Sequence, residues 1–107
     1  MGADVSRSSL ELLLLAALAE RPAHGYGLIE ELRSRSDGAF DFAEGSVYPV
    51  LHRLEDAGLV TSGWVDAGGR RRRVYRLTRK GRGVLERRRR DWQAYARAVA
   101  LVLERGG

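Results

Sequence analysis

The first twenty positions contain an unusually continuous apolar stretch. Leu10 to Ala19 is apolar on nearly every face, and a helix of that kind must be covered on both sides. We expect the domain's own core to cover one side and another subunit to cover the other. Ser8 and Glu11 match a capping box, with Ser8 as the N-cap, and Pro22 follows the end of the helix.

A second helix is predicted from His24 to about Ser36. Its apolar stripe is Tyr26, Ile29 and Leu32. Gly25 and Gly27 are poor helix formers near its start, and their small size would allow another helix or a phosphate backbone to approach closely. Phe40 and Phe42 in the following loop are predicted to plug the core.

The third predicted helix is short and amphipathic. It is expected to begin with Ser46 as its N-cap, so that Pro49 falls in the first turn, where a missing N–H is harmless. Its apolar stripe is Val47, Val50, Leu51 and Leu54. Gly58 is predicted to be the glycine that ends the helix in a left-handed conformation.

Two strands and a long helix complete the predicted order. Leu59 to Val65 and Arg73 to Leu77 alternate as strands, and the segment between them, Asp66 to Gly69 with the following arginines, is expected to be a loose loop. Thr78 is the expected cap of a last helix that runs to about Arg105. Beyond Leu85, that helix has apolar residues at heptad-like spacing, which we call the apolar seam: Trp92, Tyr95, Ala96, Val99, Val102 and Leu103.

Positive charge is concentrated in one part of the chain. The net charge is +5, but between Gly69 and Arg90 only Glu86 is acidic, whereas the basic residues there are Arg70, Arg71, Arg72, Arg73, Arg76, Arg79, Lys80, Arg82, Arg87, Arg88, Arg89 and Arg90. This asymmetry points to a polyanionic partner, with nucleic acid favoured over an anionic membrane surface.

Composition excludes several other classes of protein. A chain of 107 residues has room for one domain, and without cysteine it can have neither a disulfide framework nor a thiolate zinc site. The two histidines lack carboxylates at ligand spacing, so no metal or other cofactor is expected. No catalytic constellation or phosphate-binding glycine loop is present, and an enzyme is therefore excluded. The apolar stretch is too short to span a bilayer, no signal peptide is recognised, and the composition fits a cytoplasmic protein.

The polar face of the third helix and the arginine-rich hairpin suggest how a polyanion would bind. A helix that fits a groove, followed by a cationic hairpin, is typical of a winged helix-turn-helix protein on DNA. The predicted fold is mainly α with a small β-hairpin (α+β): a winged helix-turn-helix domain over residues 8–78 and a C-terminal dimerisation helix over 79–105. The predicted contacts to double-stranded DNA are Ser46, Tyr48, Pro49, His52, Arg53, Arg70, Arg71, Arg72, Arg73, Tyr75 and Tyr26.

Three segments of the chain resemble the PadR family of transcriptional regulators. They are the HGYG element at residues 24–27, GSVYPVLHRLEDAGLV at 45–60 and RRVYRLTRKG at 72–81, and the similarity covers residues 8–103. The resemblance implies a homodimer, formed by the last helix, that represses transcription from a palindromic operator. It further implies release by an effector. In multidrug-sensing members a tryptophan of the last helix lines a flat apolar cavity, and Trp92 lies at a comparable place.

Three aromatic residues each have two possible roles at this point. Tyr75 could be a core-edge residue or a backbone contact, and Tyr26 could pack on the third helix, which is favoured, or contact a phosphate. Trp92 could be dimer core or a platform for a small aromatic effector. The residues assigned to the effector and dimer interface are Trp92, Tyr95, Ala96, Val99 and Leu14. The alternative function is a winged-helix module for protein interaction or for non-specific, architectural DNA binding.

Overall fold

The computed structural model describes residues 6–106, and side chains within residues 9–104. The elements are α1 (Ser6–Glu20), β1 (Ala23–His24), α2 (Gly25–Arg35), α3 (Glu44–Asp56), β2 (Val60–Ala67), β3 (Arg70–Leu77) and α4 (Arg79–Gly106). The strands form one antiparallel sheet in the order β1-β3-β2. The predicted fold class, mainly helical with a β-hairpin in a winged helix-turn-helix, is confirmed. The short strand β1 was not predicted.

The core forms where α1, α2 and α3 meet the base of the sheet. Its fully buried side chains include Leu14, Leu15, Leu28, Leu51 and Val60. One side of α1 is buried in the core, as predicted, whereas Leu12, Leu13 and Ala16 on its other side are only partly buried. That a second subunit covers this other side remains a prediction. The helix begins at Ser6, so Ser8 is not its N-cap but lies in the first turn, and the Ser8 side chain is outside the described part.

α2 has a different buried stripe from the predicted one. Its buried residues are Gly25, Leu28, Ile29 and Leu32, whereas Tyr26 is 56% exposed. The predicted close approach at Gly25 is confirmed, because a Cβ atom there would overlap the ring of Tyr48 from α3. Phe40 and Phe42 stack on each other at 5.8 Å between ring centroids and are half-buried rather than fully inside the core.

Local signals at the end of α3 behave as predicted. Gly58 adopts a φ of 77° and its N–H donates to the carbonyl of Glu55 at 2.9 Å, while the Leu59 N–H donates to the carbonyl of Leu54 at 2.9 Å. This is the Schellman pair of hydrogen bonds, which a left-handed glycine permits. It turns the chain directly from α3 into β2.

The start of α4 is hydrogen-bonded to the turn at Gly58 that ends α3. The Thr78 hydroxyl accepts a hydrogen bond from the Gly81 N–H at 3.0 Å, as predicted for an N-cap, and donates to the carbonyl of Gly58 at 2.7 Å. Leu85 is buried in the core. The first turns of α4 therefore pack against the rest of the domain. The division of the chain into a DNA-binding domain and a dimerisation helix at residue 79 remains a prediction.

Candidate nucleic-acid interface

The third helix presents one buried and one exposed face. Its predicted stripe is confirmed, because Val47, Val50, Leu51 and Leu54 are all buried. On the opposite side Pro49, His52 and Arg53 are exposed. Since burial fixes the helix along its whole length, these exposed side chains are held in a rigid row.

The predicted start of this helix was wrong by two to three residues. Ala43 is the N-cap and makes no side-chain capping bond, so Ser46 is the third residue of the helix and Pro49 lies in the second turn. The Ser46 N–H donates to the carbonyl of Ala43 at 3.0 Å, and only its exposed hydroxyl remains for a ligand. Ser46 attracted the prediction as a good capping residue, but the tertiary path of the loop places the helix start at Glu44.

Two tyrosines lie at the junction of α2 and α3. Tyr48 is half-buried because its ring occupies the space left by Gly25. Tyr26 is 56% exposed, so its ring is not enclosed between α2 and α3, and both of its predicted roles remain open. The neighbouring carboxylate of Glu44, through a hydrogen bond and its negative charge, raises the pKa of the Tyr26 hydroxyl.

The wing, by which we mean the hairpin of β2 and β3, has a tighter turn than predicted. Ala67 pairs with Arg70, which leaves only Gly68 and Gly69 as the turn, with φ values of 58° and 82°. Two positive φ angles define a type I′ hairpin turn, which glycine pairs favour. The arginines are therefore strand residues, and the predicted loose arginine loop was wrong.

Strand geometry divides the wing arginines between two faces. Arg71 and Arg73 lie on one face, where their guanidinium carbons are 5.0 and 5.5 Å from the centroid of the exposed Trp64 ring. Arg70 and Arg72 alternate onto the other face. The tryptophan was missed as a site residue, although the Gly-Gly turn already sets the register that pairs it with Arg73.

A hydrogen-bonded link joins the wing to the end of α3. The Arg73 Nε donates to the Ser62 hydroxyl at 2.9 Å, and that hydroxyl donates to the Glu55 carboxylate at 2.8 Å. Arg73 and Glu55 also form a longer ion pair of 3.9 Å. The link fixes the wing relative to α3, so Arg73 has a structural partner in the free protein.

The remaining residues of the predicted interface are internal or paired. Tyr75 is 1% exposed, which places it in the core rather than against a DNA backbone, and burial raises the pKa of its hydroxyl. Arg72 is half-buried, with its Nη1 atom 3.0 Å from the Nε2 atom of His24. His24, at the start of α2, was not among the predicted site residues. In residues 6–106 no group of three histidine or acidic side chains could hold a metal ion.

A second exposed surface lies along α4. The apolar seam is uncovered in the single chain, and Trp92, Tyr95 and Val102 are 52%, 62% and 69% exposed. Between α1 and α4 lies a groove of about 600 Å³, lined mainly by apolar side chains that include Leu12, Ala16, Phe40, Leu85 and Trp92. Leu14 was predicted to belong to this surface, but it is fully buried inside the domain, so that prediction is wrong.

Together these features define a class of protein. A buried helix with an exposed basic edge, fixed beside an arginine-bearing hairpin, is the arrangement of a winged helix-turn-helix regulator. Within residues 6–106 no helix combines the length and the apolar character that a membrane crossing requires.

Comparison with known proteins identifies the family. Residues 14–87 match the model described as the transcriptional regulator PadR-like family. The chain is 38% identical over 96 residues to Transcriptional regulator Rv3488 of Mycobacterium tuberculosis, covering 90% of this chain and 87% of that protein. The chain belongs to the PadR-like family of transcriptional regulators, and the exclusion of an enzyme is confirmed.

Solved structures agree with this assignment. A PadR family transcriptional regulator from Eggerthella lenta is 35% identical with a TM-score of 0.77, covering 92% of this chain and 84% of that one. A PadR family transcription regulator from Clostridium difficile is 27% identical with a TM-score of 0.80, covering 88% and 97%. A transcriptional regulator from Clostridium thermocellum has the same fold, with a TM-score of 0.84, 24% identity and coverage of 94% and 95%.

Proposed function

We propose that this protein is a cytoplasmic, homodimeric repressor that binds a palindromic operator through α3 and the wing. The observation that carries the proposal is the exposed row Pro49, His52 and Arg53 on a helix whose opposite face is entirely buried. Such a helix enters the major groove as a rigid body, because its buried face keeps it fixed to the domain. Because the PadR-like family consists of transcriptional regulators, we expect the bound DNA site to be an operator.

Individual roles follow from exposure and charge. Arg53 is exposed and forms no ion pair with any residue whose side chain the structure describes, so its guanidinium is available to a guanine edge. His52 lies beside it and can hydrogen-bond a base or a phosphate. Ser46, Tyr48 and Pro49 lie nearer the helix start, where a phosphate or sugar contact is expected.

The wing arginines are assigned to the DNA backbone. Arg70 is exposed on the strand beside the turn and has no ion-pair partner among the described side chains, and Arg71 is exposed over the Trp64 ring. Arginines in a wing neutralise phosphates and release counterions, so they strengthen binding to any sequence and make it depend on salt. Arg73 would have to leave Glu55 to join them.

The dimer is assigned to the apolar seam of α4. An exposed apolar row this long on one helix is covered by a second helix of the same kind in coiled-coil proteins. A two-fold dimer carries two copies of α3, which matches the two half-sites of a palindrome. The groove beside Trp92 lies against the same seam, and we assign it to a planar aromatic effector that releases the DNA.

The experiment that tests the proposal begins with DNA recovered from the host by binding to the protein. Enriched fragments should share an inverted repeat. On that repeat Arg53→Ala should weaken binding by about 1–3 kcal/mol, as for loss of a specific base contact. The affinity for the operator should then exceed the affinity for random duplex DNA by a smaller factor than in the parent protein.

Two controls sharpen the result. Arg97→Ala removes the same charge from the outer side of α4 and should leave operator affinity unchanged. Arg70→Ala should weaken operator and random duplex alike. Non-specific architectural binding would instead be supported if enrichment is diffuse and disappears at modest salt, and if Arg53→Ala binds DNA with the same affinity as the parent protein.

A further inference from the structure

His24 and Arg72 meet at the junction of α2 and the wing. His24 caps α2, and its Nδ1 atom accepts a hydrogen bond from the Gly27 N–H at 3.1 Å. The other ring nitrogen, Nε2, faces the Nη1 atom of Arg72 at 3.0 Å. The contact is brought about by the pairing of β1 with β3, which sets His24 opposite Val74.

The chemistry of the two side chains does not allow both contacts to be good hydrogen bonds. A neutral imidazole has one N–H donor and one acceptor nitrogen, and a guanidinium has donors only. The tautomer that caps α2 has Nδ1 as the acceptor of the Gly27 N–H, and in that tautomer Nε2 carries the hydrogen. Two N–H donors, from His24 and Arg72, therefore face one another across 3.0 Å.

The charge of Arg72 is also without compensation. Among the residues whose side chains the structure describes, no carboxylate lies within ion-pair distance of it, whereas the next residue, Arg73, pairs with Glu55. Two adjacent donors and one unneutralised cation favour an anionic oxygen, because an acceptor that lies to one side of both nitrogens can accept from both N–H groups at once.

The position of the pair relative to α3 identifies the anion. His24 directly precedes Gly25, which is covered by Tyr48 of α3, and Arg72 is part of the wing. The pair thus joins the start of α2, which contacts α3, to the wing. In helix-turn-helix proteins the helix before the recognition helix crosses the DNA backbone at such a place.

We propose that His24 and Arg72 act as one phosphate-binding pair for the DNA backbone. The Nε2–H of His24 and a guanidinium N–H of Arg72 donate to the same phosphate group, while Nδ1 continues to cap α2. The pair would couple the position of the wing to that of α2 when DNA is bound. The inference rests on the proposed DNA binding.

The test uses two substitutions that separate the two nitrogens of the ring. In His24→Asn the amide oxygen can replace Nδ1 as the cap, but no donor reaches the position of Nε2. In His24→Gln the longer side chain places an N–H near Nε2 and loses the cap. We expect His24→Asn to lower operator affinity by about tenfold, as for loss of a charge-assisted hydrogen bond, and His24→Gln to retain affinity with lower thermal stability.

Salt dependence distinguishes the two members of the pair. Arg72→Gln should reduce the slope of log K against log salt by about 0.9, the value for one phosphate contact, whereas His24→Asn should leave the slope unchanged, because a neutral ring is lost. The double variant His24→Asn/Arg72→Gln should have an operator affinity only slightly below that of whichever single variant binds less tightly. Arg70→Gln is the matched control: it should lower the slope equally, but its effect should multiply with that of His24→Asn.

Duplexes that carry one neutral methylphosphonate at successive positions locate the contact. The parent protein should lose affinity at one position in each half-site. That loss should disappear in Arg72→Gln and become smaller in His24→Asn, which keeps the arginine contact. The proposal is overturned by parental affinity in His24→Asn or by multiplicative losses in the double variant. If Arg53→Ala still weakens operator binding in those cases, the phosphate pair alone has failed; if no variant alters binding, the proposed DNA-binding mode fails with it.

Discussion

Gly25→Ala is expected to destabilise the protein through a single steric conflict between α2 and α3. The added Cβ would lie 2.6 Å from the Cε1 atom of Tyr48 and still closer to its hydroxyl end. Carbon atoms in contact prefer a separation of about 3.5–4.0 Å, so the ring must move by about 1 Å. The backbone itself offers no obstacle, because Gly25 is not among the glycines with positive φ.

The magnitude follows from the cost of forcing extra volume into a packed site. Overpacking of this size typically costs about 1–3 kcal/mol of unfolding free energy. For a domain of this length that corresponds to a decrease in Tm of roughly 4–12 °C. Alanine is favoured over glycine in helices by up to about 1 kcal/mol, which offsets part of the loss.

Urea and thermal denaturation at fixed protein concentration measure the effect, since dimerisation makes Tm depend on concentration. Gly83→Ala is the matched control: it lies in α4 with no atom within 4 Å of the added Cβ and should be neutral or slightly stabilising. Tyr48→Ala should remove the obstacle, so that Gly25→Ala costs almost nothing in that background. An equal cost of Gly25→Ala with and without the Tyr48 ring would refute the steric explanation.

The other predictions concern the cap of α4, the apolar seam and the effector groove. Thr78→Val should lower the free energy of unfolding by about 1 kcal/mol in urea titrations because it removes the N-cap acceptor, and Thr78→Ser should not. Val102→Glu should convert the dimer to a monomer in light scattering, whereas Ala94→Glu, which adds the same charge off the seam, should leave a dimer. Planar aromatic compounds should quench tryptophan fluorescence in a Trp64→Phe variant, and a similar quench in Trp92→Phe would exclude the groove as their site.

Elements whose signals are local in sequence were predictable. The buried stripe of α3, the glycine at its end and the Thr78 cap each depend on residues within one or two turns, and all three are confirmed. The same local rules misplaced the start of α3 at Ser46, because a good capping residue was available three positions inside the real helix. Capping preference is weak compared with the path that tertiary packing imposes on the loop.

The wing shows a partial success of the same reasoning. The alternation of Val74, Tyr75 and Leu77 indicated a strand but left both interpretations of Tyr75 open, and only the packing of the sheet on the core settled that it is buried. The Gly68-Gly69 turn was present in the sequence, and its preference for a two-residue hairpin sets the register of all four arginines. The predicted loop was longer, because the strands were expected to end at Val65 and to begin again at Arg73, so that the residues between them were assigned to the loop.

By itself the sequence determined the order of the four helices and the hairpin strands, the family and the concentration of positive charge, because periodicity, caps and composition act between near neighbours along the chain. Only the tertiary structure decided which charges are compensated and which residues meet. Glu55, Ser62 and Arg73 form one link, while His24 reaches Arg72 across 48 positions through a two-residue strand too short to leave a pattern. Contacts of that kind depend on sheet register and on the space left by a glycine, and both are fixed only when the whole domain packs.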